Sequence, residues 1–236
     1  MNVMQRLRMP TDIAMTVLSI VLMGGTMLFP DDRVHQILGM LLLVLWAVHI
    51  ALNHRWYGSV FKGRYNPFRV MQTVVNVGIF VCAVLLGVSG MMMAWFIPET
   101  VSVPLEFARM AHLVSSHWYY LFMCVHVGMH VSVIFNKIKA KRSGKGASTD
   151  SSGTSKMTAR SILFRLILVL VCGYGVYACA VRGLWKYMFL LQPFFFFDMG
   201  RGYLLFVLDY ISILVLIAVL SHLLSRRLLK ASRSKS

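Results

Sequence analysis

Residues 34–54 read VHQILGMLLLVLWAVHIALNH, and residues 108–130 read ARMAHLVSSHWYYLFMCVHVGMH. Each apolar stretch carries two histidines fourteen residues apart: His35 and His49 in the first, His112 and His126 in the second. In an α-helix, fourteen residues cover ~21 Å of rise and end about 40° short of four full turns. Both histidines of a stretch therefore lie on one helix face, near opposite sides of a bilayer.

Two such helices running in the same direction bring the histidines together as His35 with His112 and His49 with His126. Imidazoles that face each other at two depths have the geometry needed to ligate two stacked haem irons axially. The sequence therefore predicts two haem b groups with these four histidines as iron ligands. Other readings remain open, because intramembrane histidines also form hydrogen bonds between helices, bind non-haem metals or line proton pathways.

The composition predicts a membrane protein. Apolar residues make up 58% of the 236 positions, which is too much hydrophobic surface for one soluble domain. A membrane-spanning helix needs about 20 apolar residues. Six stretches are long enough, at approximately 11–29, 34–54, 70–97, 108–136, 161–181 and 203–225. We expect an all-α, polytopic membrane protein in which a four-helix haem-binding core is followed by two additional helices.

The distribution of charge predicts the orientation and the partners. A net charge of +16 is compatible with nucleic-acid binding, but the basic residues cluster at the ends of the apolar stretches, as membrane topology requires. We therefore expect a lipid bilayer, and no nucleic acid, as the partner. Most Lys and Arg residues fall on one side if six helices alternate, so both termini are predicted in the cytoplasm and the protein in the cytoplasmic membrane.

The chain divides at a segment rich in Ser, Gly and Lys. Residues 1–140 are the predicted core, 141–160 a basic cytoplasmic linker, and 161–236 a helix pair with an extracytoplasmic aromatic loop and a basic tail. The four cysteines form no C-x-x-C pair, so neither a disulfide framework nor covalent haem attachment is indicated.

Three residues near the histidine pairs have two interpretations each. Arg33 and Arg109 precede the outer histidines and are predicted to pair with haem propionates, or else they end their loops at the lipid head groups. His130 comes one turn after His126, so it is either a support or alternative ligand for the inner haem, or a polar residue at the helix end. His117 is turned away from the shared face and fits the ligand set less well.

One carboxylate of the last apolar stretch needs a partner in the membrane. Asp209 lies about two turns into that stretch, and Arg182 ends the preceding one on the same side. We expect Arg182 to pair with it, with the Tyr177 hydroxyl as the second candidate. The pair either holds residues 185–197 over the outer haem as a docking surface or simply joins two helices.

The stretches at 34–66 and 108–130, together with YGVYACAVRGLWKYMFL and FFFFDMGRGYLLFVLDYISIL, resemble the flavinylation-associated cytochrome family of bacterial and archaeal membranes. The similarity covers nearly the whole chain. It implies a b-type cytochrome that passes electrons across the membrane to an extracytoplasmic flavin-carrying protein. The histidine pattern of the family falls on His35, His49, His112, His126 and, as an open case, His130.

The chain shows no nucleotide-binding loop, flavin-attachment motif, metal-thiol cluster or hydrolytic triad. We therefore expect an electron-transfer cytochrome or a membrane subunit of an oxidoreductase, not an enzyme that acts alone. A quinol or a cytoplasmic-side protein is the expected electron donor. Two rival classes stay open: a metal or ion transporter that uses intramembrane histidines, and a haem-free membrane anchor of a redox complex.

Overall fold

The computed structural model describes residues 3–60, 62, 65–97, 104–143, 159–196, 198 and 200–233, and these ranges contain helices but no strand. The helices are α1 (Val3–Leu22), α2 (Asp32–Leu52), α3 (His54–Ser59), α4 (Pro67–Met92), α5 (Leu105–Ser143), α6 (Ala159–Arg182), α7 (Leu184–Met188) and α8 (Gly202–Arg233), with a 3-10 turn at Thr26–Leu28. The six long helices follow the order of the six apolar stretches. Residues 144–158 of the predicted linker lie outside the described residues.

Local capping groups explain where two of these helices begin. The Asp31 side chain accepts a hydrogen bond from the backbone N–H of Arg33 (2.8 Å) and caps α2. Asn66 does the same for α4 through the N–H of Arg69 (2.8 Å), and Pro67 occupies the first helical position, where no N–H is required. Helices α2 and α4 therefore both begin with a side chain that accepts a hydrogen bond from one of the first backbone N–H groups.

The first helix differs from the predicted stretch at 11–29. It begins at Val3 and ends at Leu22, so the prediction was wrong about its far end. Two consecutive glycines follow, and Gly25 has a φ of 61°, a left-handed conformation that α1 cannot continue through. The other end of the α1–α2 hairpin is closed by Arg8, whose Nη2 donates to the carbonyl of Leu52 at the end of α2 (2.6 Å).

Four helices, α2, α4, α6 and α8, are long and apolar enough to cross a membrane, so the chain is an all-helical, multi-pass membrane protein. The described parts of α1 and α5 have too low a mean hydropathy, or too many charged residues, to meet the same criterion. α5 is the central helix, because it packs along α4 and α8 and also contacts α1 and α7. Its Tyr120 and Cys124 side chains are fully buried, and a helix surrounded by protein tolerates more polar residues than one surrounded by lipid.

Small residues allow the helices around α8 to approach closely. A β-carbon added at Gly128 of α5 would lie 2.4 Å from the backbone oxygen of Ala218, and one added at Gly175 of α6 would lie 2.6 Å from that of Ser212. Such close backbone contacts replace the hydrophobic driving force that is absent between helices in lipid. Helix α8 is thus packed on α5 and α6 on α8, while the division of the chain into segments 1–140, 141–160 and 161–236 stays a prediction.

Candidate functional site

Two pairs of histidine rings lie between α2 and α5. The ring centroids of His35 and His112 are 6.3 Å apart with an interplanar angle of 65°. Those of His49 and His126 are 6.4 Å apart with an angle of 73°. The two helices run in the same direction, so the fourteen-residue intervals match along them, and the pairings are those predicted from the sequence.

Helix α4 supplies hydrogen-bond partners to the two histidines of α5. Ser89 Oγ lies 3.1 Å from His112 Nδ1, and Asn76 Oδ1 lies 2.8 Å from His126 Nδ1. Both partners are uncharged. A hydrogen bond at Nδ1 fixes the orientation of the imidazole and leaves Nε2 as the ligating atom, which is the usual arrangement around metal-bound histidine.

The two histidines of α2 differ from each other. His49 Nδ1 lies 2.7 Å from Oδ1 of Asp12, an acidic residue of α1, and Asn53 Nδ2 lies 3.5 Å from His49 Nε2. His35 Nδ1 is buried without a hydrogen-bond partner in the described ranges. The pair near Asp12 is therefore the only one of the two that contacts a carboxylate in the described part of the chain.

The ring spacing fits one metal atom between the members of each pair. An imidazole nitrogen binds a metal at about 2 Å and the ring centre lies roughly 1 Å behind it, so two opposed ligands have centroids about 6 Å apart. A metal held by protein alone needs three or four ligands, and no cluster of three or more His, Cys, Asp or Glu suited to a metal occurs among the described residues. The donor set instead suits haem, which brings four equatorial nitrogens and takes two axial ligands.

The space around the rings also suits a flat macrocycle. The apolar core of α2 has no buried residues, whereas α4 and α5 pack together along their length. A β-carbon at Gly39, one turn after His35, would meet nothing within 4 Å. One at Gly90 of α4 would lie 3.5 Å from Cε1 of His112. An added β-carbon would thus lie in open space at Gly39 and in ordinary van der Waals contact with His112 at Gly90.

The remaining predicted site residues lie at the edges of these pairs. The guanidinium of Arg33 lies over the ring of Trp95, 5.3 Å from its centroid, and Arg109 is exposed near the start of α5. Their pairing with haem propionates stays a prediction. The ring of His130 lies 4.7 Å from that of His126, so it is close enough to support the second pair or to compete with His49.

His117 lies apart from both pairs, in agreement with its predicted position off the shared helix face. It is buried, its ring stacks on Tyr187 of α7 with centroids 4.6 Å apart, and its Nδ1 lies 2.8 Å from the carbonyl of Leu113. This histidine helps to fasten α7 to α5, a structural role for which the sequence offered no signal.

A second polar cluster forms around the fully buried Asp209. Its carboxylate accepts hydrogen bonds from Arg182 Nε (2.8 Å), the Tyr174 hydroxyl (2.5 Å) and Arg201 Nη2 (3.3 Å). The predicted pairing with Arg182 is confirmed. The second candidate, Tyr177, was wrong, and its hydroxyl instead accepts from Arg201 Nη1 (3.3 Å). On α6, Tyr174 is turned about 80° from Arg182 and Tyr177 about 140°, so Tyr174 is better placed to share a partner with Arg182.

Two cavities in the described part of the molecule lie away from the histidine pairs. One, of about 260 Å³, borders Arg182, Lys186 and Tyr187, and the other, of about 400 Å³, is an apolar slot between α4, α5 and α8. Neither supplies a set of converging ligands. We therefore place the candidate site at the histidine pairs, where the ring geometry and the hydrogen-bond partners converge.

Comparison with known proteins adds no further constraint on this site, since no protein-family model, curated protein or solved structure matches the chain.

The Asp209 cluster predicts a large stability difference between two aspartates. Asp209→Ala leaves two guanidinium groups without their buried carboxylate, so we expect the free energy of unfolding to fall by about 3–5 kcal/mol. Asp198→Ala removes one hydrogen bond, to the N–H of Gly200 (3.0 Å), and should cost about 1 kcal/mol. Thermal unfolding of the detergent-purified variants measures both. Equal losses would show that the Asp209 cluster does not stabilise the helix pair.

Proposed function

We propose that the protein is a transmembrane electron-transfer cytochrome that holds two b-type haems, one between His35 and His112 and one between His49 and His126. The observation that carries this proposal is the pair of ring distances, 6.3 and 6.4 Å. The two distances agree with each other and with the spacing of opposed axial ligands. The same fourteen-residue interval on two parallel helices produces both sites.

Haem would supply one-electron chemistry at each position, while the residues of the chain set its environment. The four imidazoles would bind the two irons, and Ser89, Asn76 and Asp12 lie within hydrogen-bond distance of Nδ1 in three of the rings. Arg33 and Arg109 are our candidates for the propionate groups at the end of the bundle that contains His35, and His130 for a supporting residue at the other end.

The proposal includes six membrane-spanning helices with both termini in the cytoplasm. α1 and α5 would join the four apolar spans, because α5 is covered by its neighbours and α1 forms a hairpin with α2. Basic residues follow the end of α2 and lie in the last turns of α8, whereas the connection between α4 and α5 carries Glu99 and the first turn of α5 carries Glu106. This charge asymmetry supports an orientation in which His49 and His126 are on the cytoplasmic side.

The proposed electron path runs from a quinol or a cytoplasmic-side donor to an extracytoplasmic flavin-carrying protein. The resemblance to the flavinylation-associated cytochrome family supports the acceptor. Exposed aromatic side chains in the connection between α6 and α8 support a docking surface there, with Trp185, Phe189, Phe194 and Phe196 each more than half exposed. The Asp209 cluster joins the helices on both sides of this connection, so it would fix the position of the surface.

A proton or ion pathway is the second candidate, and one contact favours it. Asp12 touches His49, and carboxylates beside intramembrane histidines are typical of ion-conducting proteins. Among the described residues, however, only one of the four rings has such a contact, and a pathway does not require the regular pairing of all four rings. Absorption of the purified protein separates the candidates, because only the cytochrome gives sharp bands on reduction.

The proposed ligation predicts which haem each histidine controls. His35→Ala and His49→Ala should each reduce the haem content from two to one per chain, and the double variant should contain none, because an axial ligand is lost at each site. Haem content and reduced-state absorption of the purified proteins provide the measurement. Two haems retained in either single variant would contradict the ligand assignment.

His117→Ala is the matched control for these variants, since this residue is a buried histidine of α5 outside both pairs. It should keep both haems even if it lowers stability by removing the stack on Tyr187. Membrane abundance of every variant must be measured in parallel, so that loss of haem is separated from loss of folded protein.

The proposed orientation predicts which loops are accessible from outside the cell. In a background without the four native cysteines, an impermeant thiol reagent should label Ser102→Cys in intact cells, because this position follows α4. Ser148→Cys, between α5 and α6, should react only after the membrane is opened. The reverse pattern of labelling would invert the direction of the electron path.

A further inference from the structure

The two histidine pairs differ in the charge that surrounds them. His49 Nδ1 lies 2.7 Å from the Asp12 carboxylate, whereas His126 and His112 have the neutral partners Asn76 and Ser89. His35 Nδ1 has no hydrogen-bond partner among the residues that the structure describes. Asp32 of α2 acts on His35 through its charge without a hydrogen bond, so the difference is the direct contact from α1, which places one carboxylate against one ring.

We propose that Asp12 is a positioning residue that lowers the reduction potential of the His49–His126 haem below that of the His35–His112 haem. This inference rests on the proposed function. A carboxylate that accepts the Nδ1 hydrogen bond makes the imidazole a more basic, more electron-rich ligand. Such a ligand stabilises ferric iron more than ferrous iron, since the ferric state carries the additional positive charge.

The neighbours of Asp12 leave this effect intact. Arg8 lies one turn earlier on α1, but its Nη2 is bound to the carbonyl of Leu52 (2.6 Å), and no ion pair joins it to Asp12 in the described ranges. Hydrogen bonds to an ionised acceptor are roughly twice as strong as neutral ones. The Asp12 side chain is half exposed, so part of its charge is screened and we expect a moderate effect.

The difference in potential gives the chain a direction for electron transfer. One electron leaves the ferrous iron of the His49–His126 site, which becomes ferric, and reduces the ferric iron of the His35–His112 site to ferrous. No proton or ligand is exchanged, so the step is balanced between the two sites. Asp12 would favour this direction even without a partner protein, because it destabilises the reduced state at only one of them.

A redox titration of the purified two-haem protein, followed by visible absorption, tests the proposal. The wild type should show two midpoint potentials, with the lower component absent in His49→Ala and retained in His35→Ala. Asp12→Asn should raise the lower midpoint by a tenfold change in the one-electron equilibrium, about 59 mV, and leave the higher one unchanged. A lower component that disappears in His35→Ala instead, or a lower midpoint that does not move in Asp12→Asn, would overturn the inference.

Asp31→Asn is the matched control, because it removes the same charge from the N-cap of α2, where asparagine caps equally well. The lower midpoint should stay in place in this variant. If Asp12→Asn fails to retain its haem, Asn76→Asp decides the question, because it places a carboxylate beside Nδ1 of His126, the other histidine of the same pair. A lower midpoint in that variant supports the proposal, and an unchanged or higher one overturns it.

These outcomes are separate from the fate of the proposed function. A wild-type protein without haem contradicts the proposed function itself. A wild-type protein with two haems of equal potential leaves the cytochrome proposal standing and contradicts only the role of Asp12.

Discussion

The facing of imidazole rings across parallel helices α2 and α5 is the constraint on which the rest of the structure depends. It requires both helices to keep the same direction and a matched register over fourteen residues. Other helices support this arrangement. Helices α1 and α4 supply hydrogen-bond partners to Nδ1 of three of the four rings, and α8 packs closely against α5 at Gly128. The hydrogen bonds to three of the rings also lower the free-energy cost of placing these polar side chains in a hydrophobic layer.

The spacing of the pairs has an energetic consequence in the proposed orientation. The fourteen-residue interval separates the pairs by ~21 Å along the helices, which is about two-thirds of a hydrocarbon layer roughly 30 Å thick. When the cytoplasm is negative by 100 mV, the free energy of an electron that moves outward between the two sites therefore falls by about 1.5 kcal/mol. This is two-thirds of the value for one charge that crosses the whole membrane. The proposed effect of Asp12 has the same sign, so the membrane potential and the hydrogen bond would favour one direction.

Much of this architecture could be predicted from the sequence, because apolar length and histidine periodicity are local signals. These two signals predicted the six long helices and the pairing of the four histidines. The positions of Asp209 and Arg182 near the same side of the membrane predicted their ion pair. The Nδ1 partners Asp12, Asn76 and Ser89 were missed, since the rotation of α1 and α4 about their own axes depends on packing. A lone Asp or Asn in an apolar stretch was the available signal, because such a residue requires a partner. Tyr174 was also missed, although its angle on α6 places it nearer to the face of Arg182 than Tyr177.

The central claim is that each ring pair binds one haem, and the haem content of the wild-type protein purified from membranes tests it most directly. The account predicts two haems per chain, extractable without breaking a covalent bond because no C-x-x-C attachment motif is present. It also predicts sharp absorption bands after chemical reduction, with both irons low-spin through two histidine ligands each. A folded, monodisperse protein that carries no haem when produced in cells replete with haem would contradict the account.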